Sequence, residues 1–423
     1  MNREMKHSGI AWIGEVPNVW TIDTIGNLYS QRTEKVSDKD YPPLSVGKMG
    51  VVPQLATAAK TDDGDNRKLV KVGDFAINSR SDRRGSCGIS SYKGSVSLIN
   101  TIITPRTEMN PQYYNWLFHT ELFADEFYKW GHGIVDDLWT TRWQEMKRIA
   151  IVVPPLAEQK AIADFLDKKC GEIDELVALQ EKIIEELKAY KQSVITEAVC
   201  KGLNPNAPMK DSGVEWIGEI PEGWNVMRLK NILSSPLQYG ANESGGAYNP
   251  NLPRYVRITD ILDNKLRENI DKQSLTEEQA SGYILKHNDI LFARSGGTVG
   301  KSFIFREEYG RCAFAGYLIR AQLKQDFIAD FVFYYTQSHS YDEWKKQIFI
   351  QATIQNIGAD RYSELLIPIP RVSEQQEIAD YLDKKCSEID QLITIKQQKI
   401  VELKEYKKSL IYEYTTGKKR VEA

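Results

Sequence analysis

From Ile162 to Val194 apolar side chains recur at alternating spacings of three and four residues. The series is Ile162, Leu166, Ile173, Leu176, Ile183, Leu187, Tyr190 and Val194, with Lys169 and Gln180 at the two unfilled positions. A period near 3.5 predicts a long helix with a narrow apolar seam, the pattern by which helices wind on one another. A second seam runs through Ile378, Leu382, Ile389, Leu392, Leu403, Tyr406 and Leu410, with Ile400 one position off it. Pro154-Pro155 and Pro370 precede the two helices; Gly202 with Pro205, and Gly417, end them. At 1.5 Å per residue each spans roughly 60 Å, too long and too polar on its outer face to stand alone. Elsewhere the period shortens to two. Asp289-Ile-Leu-Phe-Ala293 and Ser302-Phe-Ile-Phe-Arg306 read as strands joined by a glycine turn.

The chain is written twice. EQKAIADFLDKKCGEID, opening at Glu158, returns as EQQEIADYLDKKCSEID at Glu374, an ungapped offset of 216 residues that persists through both helices. Upstream, HSGIAWIGEVPNVW (His7 to Trp20) returns as DSGVEWIGEIPEGW (Asp211 to Trp224) at an offset of 204. The sequence between these repeats has diverged. The expected organisation is a module over residues 1–153, a helix over 154–202, a linker over 203–210, a second module over 211–369, a second helix over 370–418 and a tail over 419–423. The short linker favours helices that run antiparallel, with the modules held apart by a coiled-coil rod. The expected class is therefore α+β, two mixed modules joined by an antiparallel coiled coil with an internal pseudo-twofold repeat.

Composition narrows the function. The 423 residues carry a formal charge of −3, so the chain does not coat nucleic acid along its whole surface, although local basic patches remain open to it. No apolar run is long enough for a membrane span, and the N-terminus lacks the apolar region of a signal peptide. Cys87, Cys170, Cys200, Cys312 and Cys386 are scattered, as are the five histidines, so neither a zinc site nor a disulfide framework is expected. A cytoplasmic location is the simplest expectation.

ARSGGTVGKS (Ala293 to Ser302) ends like a phosphate-binding loop. Ser295 stands where that loop needs its first glycine, however, and the following run reads as a strand, not as the helix whose amides complete the cradle. The same feature recurs in the first module, where Val72 to Ser81 aligns with His287 to Ser295 as turn, Asp, apolar strand and Arg-Ser. Glycine lets a backbone approach a ligand, while Arg and Lys satisfy phosphates or pair with guanine. The candidate DNA-binding residues are therefore Arg80, Arg83 and Arg84 in the first module and Arg294, Thr298 and Lys301 in the second. Lys48 and Lys60 join the first group, with Arg67 and Lys68 in a stretch diluted by Asp62, Asp63 and Asp65. Tyr239 offers a stackable ring, Asn242 an amide suited to adenine, and Arg257 a cation on a strand. Solvated hairpin turns explain the same loops equally well. The aromatic clusters about Tyr113 to Phe123 and Phe331 to Tyr335 read as core. No catalytic residue and no metal ligand stands out.

The duplicated helix openings, the duplicated WIGE–Pro–Trp segments and the Arg-Ser loops together resemble the specificity (S) subunit of type I restriction–modification enzymes over essentially the full length. The resemblance implies that each module is a target-recognition domain reading half of a split, asymmetric DNA site, one helical turn or so apart. It implies that the coiled coil spaces the halves and docks two methyltransferase (M) subunits, whose S-adenosylmethionine chemistry methylates adenine-N6. Two restriction (R) subunits would add ATP- and Mg-dependent translocation and cleavage. This chain would bind no cofactor itself and would not be an enzyme. Two other readings stay open: ATP-dependent chemistry at Gly296 to Ser302, and a coiled-coil scaffold with two protein-binding modules.

Overall fold

A computed structural model of the chain describes residues 3–54, 63–133, 139–262, 264–350 and 356–421. They fall into two compact units, Met1–Glu181 with Gln397–Ala423, and Lys182–Lys396. Each unit combines one module with part of both long helices.

In the first unit β1 (Thr21–Thr24) pairs antiparallel with β6 (Ala150–Val153), which closes the module. Between them lie β2 (Tyr29–Gln31), β3 (Phe75–Asn78), β4 (Cys87–Ile89) and β5 (Asn100–Pro105), an antiparallel sheet in the order β4-β3-β5-β2. The two-residue alternation decides what each face touches. Phe75 and Ile77 join the core built on α1 (Pro111–Phe118) and α2 (Glu121–Lys129), whereas Ala76 and Ile102 face a second cluster with Leu44, Val70 and Val96. α3 (Leu156–Lys201) follows.

The second unit repeats this plan. β7 (Asn225–Arg228) pairs with β12 (Leu366–Ile369), and β8 (Gln238–Tyr239), β9 (Ile290–Ala293), β10 (Ser302–Ile304) and β11 (Leu318–Ala321) form a sheet in the order β8-β11-β9-β10. Its helices are α4 (Ala329–Tyr335), α5 (His339–Ile350) and α6 (Val372–Thr415). Ile290 and Phe292 face the helical core, Leu291 and Ala293 the opposite cluster. Even the entry turns agree. Gly73 (φ +86°) and Asn288 (φ +67°) adopt the left-handed conformation, and the next residue, Asp74 or Asp289, accepts a backbone N–H from Lys71 or Lys286.

The long helices run antiparallel within each unit, and the repeated letters now have physical roles. Trp20 is fully buried and donates its indole N–H to Glu158 at 2.8 Å, while Gly417 (φ +75°) at the end of α6 lies so close that a side chain there would collide with Pro17 and Trp20. In the second unit Trp224 donates to Glu374 at 3.1 Å and Gly202 (φ +75°), ending α3, lies against its ring. Each tryptophan thus joins the start of one long helix to the end of the other. Gln159 accepts the N–H of Asn110 and donates to the Pro154 carbonyl, and Gln375 does the same with Ile328 and Pro370. Asp167 holds the Trp116 indole and Asp383 the Tyr334 hydroxyl. Reciprocal ion pairs complete the set, Asp174–Lys407 and Asp390–Lys191, both at 2.7 Å.

The observed seam corrects the sequence reading on one of its two rows. Leu166, Ile173, Leu382 and Ile389 are buried as expected, with Leu187 and Leu403 half-buried; Ile162 and Ile378 are buried where the helices enter the modules. The other row lies one residue further on, through Cys170, Val177 and Ile184 in α3 and Cys386, Ile393 and Ile400 in α6. Leu176 and Tyr190 are accordingly 46% and 57% exposed, Leu392 and Tyr406 46% and 55%. Ile183 sits at the margin, half-buried beside a buried Ile184. A 3.6-residue turn drifts against a strict 3.5 repeat, and the true row is filled in part by cysteine and by the ion-paired Lys191 and Lys407, which an apolar count passes over.

Truncation separates the two registers. Leu166→Ala is expected to lower stability by about 2–5 kcal/mol through the cavity it leaves, and Leu176→Ala by no more than about 0.5 kcal/mol. Denaturant unfolding of the two variants reads this directly; comparable losses would contradict the observed seam.

Candidate nucleic-acid interface

The Gly-rich stretch is a hairpin loop. β9 leaves it at Ala293, whose carbonyl accepts the Gly300 N–H and whose own N–H donates to Lys301, and β10 begins at Ser302. No helix follows, and the Ser302 hydroxyl, which a phosphate-binding loop would offer to a metal ion, is buried against Thr336 at 2.6 Å and Gln337 at 2.7 Å. The Gly300 carbonyl accepts the Tyr341 hydroxyl, fixing the far end of the turn. Thr298 is half-buried and its carbonyl accepts the Lys301 N–H; the Lys301 side chain is exposed.

Arg294, at the near end, lies over the ring of Tyr239, with 4.9 Å from guanidinium carbon to ring centroid. Tyr239 is itself held, because its hydroxyl accepts the Ala359 N–H at 2.9 Å, and Gly358 lies beside it, where a side chain would displace the Asp360 carboxylate. Asn242 is exposed a few residues beyond. Arg257 has a different task. It makes two bonds to the buried Asp260 carboxylate and a third to the Asp271 carbonyl, holding its own turn rather than reaching outward.

In the first module the Arg-Ser motif is displaced by one residue. The Ser79 carbonyl accepts the Thr141 N–H as the Arg294 carbonyl accepts that of Ile357, while Arg80 bridges Thr140 as Ser295 bridges Asn356. Ser79, not Arg80, is therefore the counterpart of Arg294, and a one-residue slip sends a side chain to the opposite face. Arg80 pairs with Asp82 at 3.0 Å, Arg83 reaches the same carboxylate at 3.5 Å and is well exposed, and Arg84 pairs with Asp125 above the Tyr128 ring. Lys48 sits with the highly exposed Met49 at the tip of the hairpin Leu44–Gly47/Gly50–Pro53, whose Gly50 lies against Gly88 of β4. Lys60 lies outside the described residues.

Where the second module presents Arg294 on Tyr239, the first has small side chains. Ser79 and Thr101 bond to each other at 3.1 Å and border a cleft of about 670 Å³ that Gln31, Lys68, Arg142 and Trp143 also line. Lys68 donates to the Asn100 carbonyl at 2.6 Å, and burial lowers its pKa. Arg142 and Trp143 were not legible as candidates; only their spacing after the residues that bridge to Arg80 marks them.

Among the described residues no group of His, Cys, Asp and Glu is placed to hold a metal ion, and no helix is long and apolar enough to cross a membrane. What remains is two modules of one topology on a repeated helical frame, with different polar side chains at equivalent positions. The repeated frame thus presents two unlike polar surfaces at equivalent places.

Residues 221–405 match the family described as the type I restriction modification DNA specificity domain. The type I restriction enzyme MjaVIII specificity subunit of Methanocaldococcus jannaschii is 27% identical over 65% of this chain, a match that spans 63% of that subunit, less than two thirds of its length. The putative MjaX specificity subunit of the same organism is 24% identical over 97% of this chain and 96% of its own. A solved chain of a type I R-M system superposes with a TM-score of 0.74 at 14% identity, and the HsdS subunit of Thermoanaerobacter tengcongensis with 0.54 at 15%, each over 95% of this chain and 98% of its own, which establishes the shared fold. The family model matched and the relatives found are thus DNA specificity subunits of type I restriction–modification systems, which this chain resembles in sequence and in fold.

The thiols bear on chemistry as well. All five cysteines are buried and free. Cys87 lies 3.7 Å from His119 Nε2, yet burial pushes its pKa up to about 12, and those of Cys170, Cys200, Cys312 and Cys386 to about 11, so none is a ready nucleophile. Thiol labelling of the native chain at pH 8 is expected to be slow at all five and rapid after denaturation; fast native labelling of Cys87 would contradict the burial described.

Proposed function

We propose that this chain is the address-reading subunit of a type I restriction–modification complex, in which each module reads one half of a bipartite, asymmetric site on double-stranded DNA. The observation that carries this reading is the contrast between frame and readers. Trp20 and Trp224, Glu158 and Glu374, Gln159 and Gln375 repeat the same bonds, whereas Ser79 beside a cleft and Arg294 on Tyr239 occupy the same place in the two sheets. A duplicated frame with unlike readers suits two different half-sites. Exposed Lys301, Lys48 and Arg83 supply phosphate contacts, which position the duplex without carrying sequence information.

In this reading the long helices set the gap between the half-sites and dock two M subunits. Those partners bring S-adenosylmethionine and methylate adenine-N6; two R subunits bring ATP and Mg for cleavage. The chain itself binds no cofactor, performs no catalysis and works in the cytoplasm. Lys301 is then a DNA contact and not part of a nucleotide site.

The test is methylation mapping of DNA from cells that co-express this chain with its methyltransferase. A split motif carrying methyladenine in both halves is expected; methylation without sequence preference, or none from a demonstrated complex, would favour a protein-binding scaffold. Lys301→Ala is expected to weaken DNA binding, with ATP binding undetectable before and after the change. Titration of ATP against both forms checks this, and saturable ATP binding that disappears in the variant would restore the enzyme reading.

A further inference from the structure

The second module uses its arginines in two ways. Arg228, Arg254, Arg257, Arg306, Arg311 and Arg320 each have a carboxylate oxygen within 4 Å. Arg267, Arg294 and Arg361 have none among the described residues, and of these three only Arg294 has an Nε that is buried without a hydrogen-bond partner, a state it shares with the ion-paired Arg254. A buried guanidinium N–H left unmatched is costly. A fold that keeps one while stacking the group on a fixed ring holds a donor set ready for something outside the chain.

The supports are built in. Tyr239 lies on β8, opposite Ile319 of β11, and its hydroxyl is tied to the Ala359 N–H. Gly240 follows, where a side chain would strike the Phe314 and Ala315 carbonyls, so the strand can leave the sheet there only as glycine. The carbonyl of Arg294 accepts the Ile357 N–H, and its N–H donates to Tyr317. Backbone and ring together restrict where the guanidinium points.

We propose that Arg294, carried on Tyr239, reads a guanine in the half-site of the second module. This rests on the DNA-reading assignment above and adds the base and the residue. A guanidinium offers donors only, in a planar fork, and in the major groove guanine presents two adjacent acceptors, O6 and N7, that match it. Adenine sets a donor beside its acceptor and would leave half of the fork opposed. The first module has Ser79 at this position and reads its half through other groups.

The test compares methylation motifs produced by the full chain with its methyltransferase partner, for the wild type, Arg294→Lys and Tyr239→Leu. Lysine keeps a phosphate contact but lacks the fork. Arg294→Lys is expected to relax one G·C position in one half of the motif, lowering the preference for guanine there roughly ten- to a hundredfold, with the other half unchanged. Tyr239→Leu, which keeps the guanidinium and removes its platform, is expected to relax the same position by a smaller factor. Thermal unfolding of both variants accompanies the mapping, and if Arg294→Lys does not fold, Tyr239→Leu carries the test at that position. An unchanged motif, or a uniform fall in methylation with every position kept, would overturn the assignment in favour of a phosphate contact. A wild-type complex without any split motif would overturn the DNA-reading assignment itself, and this inference with it.

Discussion

Everything in this chain hangs on two buried indoles. Trp20 and Trp224 each join the first turn of one long helix, through a glutamate, to the terminal glycine of the other. The WIGE–Pro–Trp segment thus ties the start of one helix to the end of the other by one bond and one close contact. Because the ring is enclosed, loss of either tryptophan would open a large cavity and take an indole bond from the glutamate. The same joint fixes where each module begins and ends, since β1 with β6 and β7 with β12 start within a few residues of it.

The joint also frees the rest of the module to vary. Between β1 and β6, and between β7 and β12, both units build the same sheet order and the same Asp-anchored entry turn from sequences that share little. What must be kept is parity: which residues of the central strand face the helices and which face the second cluster. Residues beyond the strand end lie outside that constraint, and there, in the same register, Ser79 stands in one module where Arg294 stands in the other. In the proposed reading, recognition falls to side chains that the core does not need.

Much of this was legible in the sequence because it rests on periodicity and repetition. The two helices, their ends and the doubled organisation follow from spacing and glycine placement alone, and so does the strand–turn–strand reading of ARSGGTVGKS. Aligning Arg80 with Arg294 failed because letters were matched, whereas the ladder to Thr141 and Ile357 fixes the register. Arg257 drew notice as a cation, but its partner Asp260 is a turn away and buried, a matter of backbone geometry that composition does not carry. The seam was misread on one row because polar and small residues occupy it. The first module's cleft had no signal at all, being defined by what Ser79 and Thr101 leave empty.

The account stands on the claim that the readers are independent of the frame that holds them. Replacing residues 25–149 by the corresponding stretch of another specificity subunit, with Trp20, β1, β6 and Glu158 kept, tests it most directly by mapping methylation before and after the exchange. The account predicts that one half of the motif changes while the other half and the gap between them stay as they were. A change in both halves, or in the gap, would contradict it.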